Sequence, residues 1–211
     1  MNLLPSPPAP LPQAGEGSER LYSDDRYAQL ENLPENLSGE LINGQLYTQP
    51  RPAGPHAEAG SGLGIDIGNA YHRGRGGPGG WWILDELEIH FIRDTEVLVP
   101  DLAGWRRERL PRLPRDHRFE VTPGWVCEIL SPSTARKDRV LKMPVYARYG
   151  VPYLWLVDPL AHTLEAFALR DGRWTVIGLF QEQDAVSVEP FNEMILELGG
   201  LWVETAEEPE P

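Results

Sequence analysis

The 211-residue chain has little cysteine and no long apolar run. Its one cysteine, Cys127, excludes an intramolecular disulfide and a zinc site built from several cysteines. No run of about 18 or more apolar residues is present, so the sequence predicts no membrane span and no membrane partner. The first residues, MNLLPSPPAP, lack the basic and apolar regions of a secretory signal peptide, and we therefore expect a cytoplasmic protein.

Lysine is also scarce. Only two of the 19 basic residues are lysines, Lys137 and Lys142, so arginine is the usual cation of this chain. Glycine and proline, by contrast, number 21 each, well above their average share of about 12% together, and this disfavours a helix bundle. We expect strands joined by loops in one domain over residues 21–203, preceded by a disordered proline-rich leader (1–20) and followed by an acidic tail (204–211).

The net charge of −13 is unevenly distributed. Residues 151–211 carry 12 acids and two arginines, a net charge of −10, whereas residues 1–150 are close to neutral at −3. Six arginines lie between Trp105 and Arg118 with only two acids among them, a local +4 that could meet phosphates. The candidate nucleic-acid contacts are Arg106, Arg107 and Arg109. An ordinary solvated loop explains the same composition equally well.

Residue patterns place the following elements along the chain. The predicted helices span residues 23–32 with Ser23 as cap, 55–71, and 135–149, the last capped by Ser133 or Thr134, kinked at Pro144 and closed by Gly150. Asn43-Gly44 and Asp171-Gly172 predict two tight hairpins. The remaining strands are expected over residues 81–92 (with Glu86, Glu88 and His90 facing solvent), 97–105, 125–130 and 153–158. Residues 185–202 show no clear pattern.

The chemically informative residue is Glu128, which interrupts the apolar run WVCEIL. A carboxylate buried in a sheet costs several kcal/mol unless a cation or hydrogen bonds compensate it. Asp101 poses the same problem at the end of VLVP. Two carboxylates on neighbouring strands, joined by a backbone carbonyl such as that of Ile129, would offer the hard oxygen ligands that Mg²⁺ or Mn²⁺ prefers. On the next helix Asp138 and Lys142 share a face, so Lys142 could reach back to this strand.

The order of these residues resembles the bacterial Uma-two family of restriction-endonuclease-like proteins. The resemblance runs from about Tyr27 to Phe180 and consists of a hairpin Glu (Glu40), Pro100-Asp101, E-I-L-S-P-S from Glu128 to Ser133, Asp138, Lys142 and the stretch Y-A-R-Y-G-V-P from Tyr146. The family looks like a branch of the PD-(D/E)xK nuclease superfamily. It implies an α/β (α+β) fold in which a mixed β-sheet is flanked by helices.

The resemblance also implies a function and the residues that serve it. By matching position, Asp101 and Glu128 would be catalytic metal ligands, Glu40 a further acidic member, and Lys142 the charge that orients or activates the attacking water. The parent motif places its lysine two residues after the second acid, where this chain has Leu130, so the lysine would reach the site from the helix instead. The implied reaction is Mg²⁺- or Mn²⁺-assisted hydrolysis of DNA. Cleavage of both strands needs two sites, which favours a homodimer.

Other readings stay open at this stage. His56, Ser131 and Asp138 are candidate accessory residues, although for His56 a surface or capping histidine is the more frequent case. Ser131 and Ser133 lie outside any G-x-S-x-G nucleophile motif, and a helix cap accounts for Ser133. A non-catalytic nucleic-acid- or protein-binding module on the same fold is the main alternative, favoured by the acidity of the chain and the displaced lysine. A metal-dependent hydrolase of a small phosphoester is a third reading.

Overall fold

The computed structural model describes residues 26–50 and 54–203. The predicted leader (1–20), the helix cap Ser23 and the acidic tail (204–211) lie outside these residues. Helix α1 is described over residues 26–31, and α2 spans Gly54–Ile67 and continues as a π-helical turn, Gly68–His72. The third helix has three parts: α3 (Ala135–Lys137), a π-helical turn (Asp138–Lys142) and α4 (Met143–Arg148). No helix in the described part of the chain is both long enough and apolar enough to cross a membrane.

Thirteen strands form three sheets within the described residues. The five-stranded sheet has the order β2-β1-β5-β4-β7 and the six-stranded sheet the order β11-β10-β9-β8-β6-β3, while β12 pairs with β13. The bounds are β1 Leu37–Ile42, β2 Gln45–Pro50, β3 Trp81–Asp85, β4 Glu88–Ile92, β5 Glu96–Leu98, β6 Leu102–Arg106, β7 Arg118–Phe119, β8 Trp125–Ile129, β9 Tyr153–Asp158, β10 Thr163–Arg170, β11 Arg173–Gln181, β12 Ala185–Val186 and β13 Leu196–Glu197. The last turn is a 3₁₀-helix, Leu198–Leu201.

Both predicted hairpins are confirmed. Asn43 and Gly44 have φ values of 50° and 71°, and Asp171 and Gly172 have 50° and 72°, as a two-residue hairpin turn requires. The pairs Ile42–Gln45 and Arg170–Arg173 close the two turns.

The strand predicted over residues 81–92 is wrong as a single element. It divides into β3, in the six-stranded sheet, and β4, in the five-stranded sheet. Glu86 lies at the break with φ 46°, a left-handed conformation that ends a strand. His90, expected to face solvent, is buried because Tyr27 of α1 packs edge-on against its ring at 5.3 Å.

The strand predicted over residues 97–105 divides in the same way, into β5 and β6 of different sheets. Pro100 lies at this break, where it cannot donate a hydrogen bond to a ladder. The two breaks are adjacent, since the Glu86 N–H donates to the Asp101 carbonyl at 3.2 Å. The chain therefore passes twice from one sheet to the other at the same place, and Asp101 lies there.

Strand β8 is buried throughout, as predicted, between β6 and β9. Its side chains alternate between two cores: Trp125, Cys127 and Ile129 pack in one, and Val126 packs in the other. Glu128 shares the face of Val126, the side on which Val145 and Tyr146 of α4 pack. The strand thus directs one carboxylate toward the helix.

The predicted helix over 135–149 is present but differs in detail. Instead of a simple kink, a π-helical turn precedes Pro144, whose ring and missing N–H disfavour a regular α-helical turn. The side-chain cap expected from Ser133 or Thr134 is wrong: Thr134 stands at the N-cap without a cap bond, and its own N–H donates to Ser131 Oγ. The helix ends before Gly150, which has φ 73°.

Candidate functional site

Four acidic side chains from distant parts of the chain meet beside the junction of the two sheets. Glu40 comes from β1, Asp101 from the break between β5 and β6, Glu128 from β8 and Asp138 from the π-helical turn. Three of them are buried, with 2%, 2% and 3% of the residue exposed for Glu40, Glu128 and Asp138. The pairing of Leu102 with Cys127 across β6 and β8 brings Asp101, one residue earlier, alongside Glu128, one residue later.

Lys142 lies at the centre of these acids. Its Nζ is 2.8 Å from Glu40 Oε1 and 2.7 Å from Glu128 Oε2, and it donates to the Val99 carbonyl at 3.1 Å. Asp138, one turn earlier, is 3.9 Å away. An ammonium group has three N–H donors, so the three nearest acceptors use all of them. The side chain is only 2% exposed, and its charge is compensated entirely from within the protein.

The second lysine of the chain reaches the same carboxylate. Lys137 Nζ is 2.5 Å from Glu40 Oε2 and 2.5 Å from Gln49 Oε1 on β2. The Val99 N–H also donates to Glu40 Oε1, at 2.8 Å. Glu40 therefore ties the first hairpin to both the β5–β6 break and the third helix.

The site carboxyls differ in their tendency to ionise. Burial raises the pKa of Glu128 well above its usual range, Lys142 opposes this shift, and the other three carboxylates reinforce it. Burial would raise the pKa of Glu40 as well, but Lys142 and Lys137 hold the pKa of that carboxyl below its ordinary value. Burial would lower the pKa of Lys142, yet the surrounding carboxylates raise it above the usual lysine value. The lysine is thus held in its charged form.

Glu128 is fully hydrogen-bonded within the protein. One oxygen accepts from Lys142, and the other accepts from the Tyr146 hydroxyl at 2.5 Å. Tyr146 is itself buried, and this burial raises the pKa of its hydroxyl well above the usual value, so it acts as a donor. The position of the carboxylate is fixed from two directions.

Asp101 is the most accessible of the four acids, with 19% of its side chain exposed. Its Oδ2 accepts from the Ile129 N–H at 2.6 Å, and its Oδ1 lies 3.3 Å from His56 Nε2 at the start of α2. Burial would lower the pKa of His56, but the hydrogen bond that it donates to Asp101 and the charge of that carboxylate raise the pKa above the ordinary value. Asp101 lies between two clefts: one of about 460 Å³ bounded by α2 and β3, and one of about 240 Å³ that Gln49 and Val99 also line.

The donor chemistry of the site fits a divalent cation. Four carboxylates face two lysines and His56 in this cluster. Carboxylate oxygens are the ligands that Mg²⁺ and Mn²⁺ prefer. Among residues 26–50 and 54–203, however, no three His, Cys, Asp or Glu side chains are arranged as a ready metal site. Binding would require at least one carboxylate to exchange a protein donor for the ion.

A family model described as "Uma2: Putative restriction endonuclease" matches residues 24–199 of this chain. The chain belongs to the Uma2 family. Among solved structures, it is similar to one described as a putative nuclease belonging to DUF820 from Anabaena variabilis, with a TM-score of 0.66 and 24% sequence identity over 83% of this chain and 96% of that one. No curated protein matches the chain. The predicted family and the mixed α+β fold are confirmed.

The Uma2 chain brings most of the residues predicted for the site into one place. Glu40, Asp101, Glu128, Asp138, Lys142 and His56 all lie within it. Ile129 contributes its N–H to Asp101, and its apolar side chain packs in the opposite core. Ser131 lies in the turn before α3, where its hydroxyl contacts Ser133 and Thr134 at 3.0 Å each.

The arginines proposed as nucleic-acid contacts lie elsewhere on the Uma2 fold. Arg106 ends β6, and its guanidinium stacks on Trp81 at 4.7 Å. Arg107 stacks on Trp82 at 4.0 Å and donates to the carbonyls of Trp81 and His72. Asp101 precedes the other end of β6, so the five residues to Arg106 span about 17 Å at roughly 3.4 Å per residue. The arginines are therefore not part of the carboxylate cluster.

Sequence reasoning missed Lys137, Tyr146 and Gln49 as members of this site. The scarcity of lysine could have indicated Lys137, because both lysines of the chain contact Glu40. Tyr146 is four residues beyond Lys142, and this spacing places both on the face that meets Glu128. Nothing in the hairpin sequence distinguishes Gln49 from a solvent-facing residue.

Proposed function

We propose that this Uma2 protein is a divalent-metal-dependent endonuclease that hydrolyses phosphodiester bonds in DNA. The observation that carries the proposal is the convergence of four acids from four separate elements on two lysines, with one of the acids, Asp101, lining the adjacent clefts. A cluster of buried ionisable groups of this kind is costly in a purely structural role and is common at functional sites. The membership of a restriction-endonuclease-like family supports the same reaction class.

The proposed reaction assigns a separate role to each residue of the site. Asp101 and Glu128, with the Ile129 carbonyl, would hold Mg²⁺ or Mn²⁺. When bound, the ion supplies polarisation of the phosphate and acidification of the attacking water. Lys142 and Tyr146 hold the Glu128 carboxylate in position, and Glu40 and Asp138 keep Lys142 charged. His56 orients Asp101 from the far side of the cleft.

The test is cleavage of supercoiled plasmid by purified protein with Mg²⁺ or Mn²⁺. We expect nicked and linear products from the wild type and none from Asp101→Ala or Glu128→Ala. Asp85→Ala is the matched control, because Asp85 lines the same cleft but is exposed. Equal cleavage by all three variants would show that the activity comes from a contaminant or from another site.

A non-catalytic DNA- or protein-binding module is the second candidate. Both oxygens of Glu128 already accept hydrogen bonds, and Leu130 stands where the parent nuclease motif has its lysine. A module of this kind would bind DNA with the same affinity in EDTA and in Mn²⁺ and would leave the plasmid intact. The nuclease predicts cleavage that EDTA abolishes.

A further inference from the structure

The two lysines of the site differ in what they can still contact. Lys142 is 2% exposed, and each of its three N–H donors has an acceptor within 3.1 Å in Glu40, Glu128 and the Val99 carbonyl. It could donate to a substrate only by leaving one of these groups buried without its partner, which costs the full desolvation of that group. Lys142 is therefore suited to positioning the carboxylates rather than to touching DNA.

Lys137 has the opposite character. Its side chain is 14% exposed, and its Nζ has two acceptors among the described residues, Glu40 Oε2 and Gln49 Oε1. One N–H of its ammonium group is left for another acceptor. Gln49, which accepts from Lys137, lines the same cleft of about 240 Å³ as Asp101, so an anion bound in this cleft would share it with the partner that holds Lys137.

We propose that Lys137 is the catalytic lysine of this site, donating to a non-bridging oxygen of the scissile phosphate, and that Lys142 is a positioning residue. The inference rests on the proposed nuclease function and adds the group that contacts the substrate. Glu40 links the two lysines: it accepts from both, so its single carboxylate holds the substrate-facing ammonium beside the buried one. Gln49 fixes the direction of Lys137 from the other side.

The experiment measures kcat and KM for Mn²⁺-dependent plasmid nicking, together with the shift in Tm that Mn²⁺ causes. We expect Lys137→Met to lower kcat by about 100-fold or more, as removal of a preorganised donor to the transition state does. The Mn²⁺-induced Tm shift should match that of the wild type, because Asp101 and Glu128 are untouched. A lysine that merely supported Glu40 would leave kcat within a few-fold of the wild type, because Glu40 keeps Lys142 and the Val99 N–H as partners.

Arg136→Met is the matched control. Arg136 is the neighbouring basic residue and is exposed, and its replacement by methionine removes the same charge. Arg136→Met should leave kcat unchanged. Any change that it causes in KM should depend on the salt concentration. If Arg136→Met lowers kcat as much as Lys137→Met does, the effect is one of general charge and the assignment is overturned.

A second variant keeps the test decisive if Lys137→Met does not fold. Gln49→Glu adds a carboxylate beside Lys137 that competes with the phosphate for its ammonium group, so kcat should fall while the protein stays folded. Wild-type kcat in the variant that folds would overturn the role of Lys137 and leave the nuclease proposal standing. Absence of cleavage by the wild type itself would instead overturn the nuclease proposal and this inference with it.

Discussion

At the scale of single residues, Glu128 is a carboxylate buried among apolar side chains. It is 2% exposed, in the middle of an otherwise apolar strand. Its anomaly could be recognised from the sequence, because a carboxylate inside WVCEIL demands a partner. The identity of the partners could not, since Lys142 and Tyr146 lie 14 and 18 residues away and reach Glu128 only through the packing of the third helix.

We expect Glu128→Gln to preserve or raise stability in metal-free buffer and to abolish stabilisation by Mn²⁺. Glutamine keeps an acceptor for Lys142 but removes the cost of burying a carboxylate. The wild type should gain about 2.7 kcal/mol at a Mn²⁺ concentration 100 times Kd, and the variant nothing. Thermal unfolding with and without Mn²⁺ measures both effects. An equal Mn²⁺-induced shift in Tm for the two proteins would show that Glu128 is not a metal ligand.

Glu88 predicts a pH effect outside the site. Burial would raise the pKa of this carboxyl, but hydrogen bonds with His90, at 3.0 Å, and Tyr27, at 2.8 Å, lower it below the usual value. A group with a lowered folded-state pKa stabilises the fold above its unfolded pKa of about 4.3, and this stability is lost as the pH falls. Glu88→Gln should therefore cost about 1 kcal/mol at pH 7 and much less at a strongly acidic pH, where the folded protein also protonates this carboxyl.

Urea unfolding of the wild type and Glu88→Gln at the two pH values measures this difference. Glu120→Gln serves as the control, because Glu120 pairs with Arg93 at the surface, where its side chain is 50% exposed. Exposed pairs contribute about 0–1 kcal/mol, so the control should change little at either pH. A gap between wild type and Glu88→Gln that stays constant with pH would show that the carboxyl does not titrate as argued.

At the scale of elements, the hairpins, the buried strand and the third helix could be predicted, and the two long strands could not. Alternating residues continue through Glu86 and through Val99, so the pattern gives no reason to divide either strand. The break becomes necessary only because each strand must leave one sheet and join another. Pro100 was the local indication, and the Glu86–Asp101 backbone hydrogen bond shows that both breaks form one junction.

The third helix should depend on Lys142 for its docking. Lys142→Met would leave Glu40 and Glu128 buried without their shared cation, and breaking such a pair costs about 3–5 kcal/mol. Lys137→Met should cost clearly less, since Lys137 is more exposed and Glu40 keeps Lys142 and the Val99 N–H. Urea unfolding of both variants compares the two losses.

Adding Glu128→Gln to Lys142→Met should restore part of the lost stability, because the double variant no longer buries an unpaired Glu128 carboxylate. Equal losses for the two lysine variants, or no rescue in the double variant, would contradict the division of the lysines into a buried and a substrate-facing one.

At the scale of the whole molecule, the acidic net charge gave little guidance to function, whereas the order of acidic motifs along the chain did. Spacing in the sequence could not show that Asp101 and Glu128 adjoin, because their proximity depends on the antiparallel pairing of β6 with β8. The same pairing carries the arginines away from the acids, to the far end of β6. The arginines that follow Asp101 closely in the sequence are thus separated from it in space by the length of β6.

This separation gives the arginines a testable role distinct from catalysis. If DNA lies along β6, Arg106 contacts phosphates about 17 Å from the cut, roughly five residues of strand away, and Arg109 follows it in the turn after the strand. Arg106→Gln with Arg109→Gln should then raise KM, leave kcat unchanged, and reduce the slope of log Kd against log salt by about 2. Fluorescence anisotropy of labelled DNA at several salt concentrations gives the slope. An unchanged slope would identify the arginine segment as a solvated loop. Favourable contacts with DNA would then have to come from the metal-loaded site, since the net charge of the chain is −13 and repels phosphates.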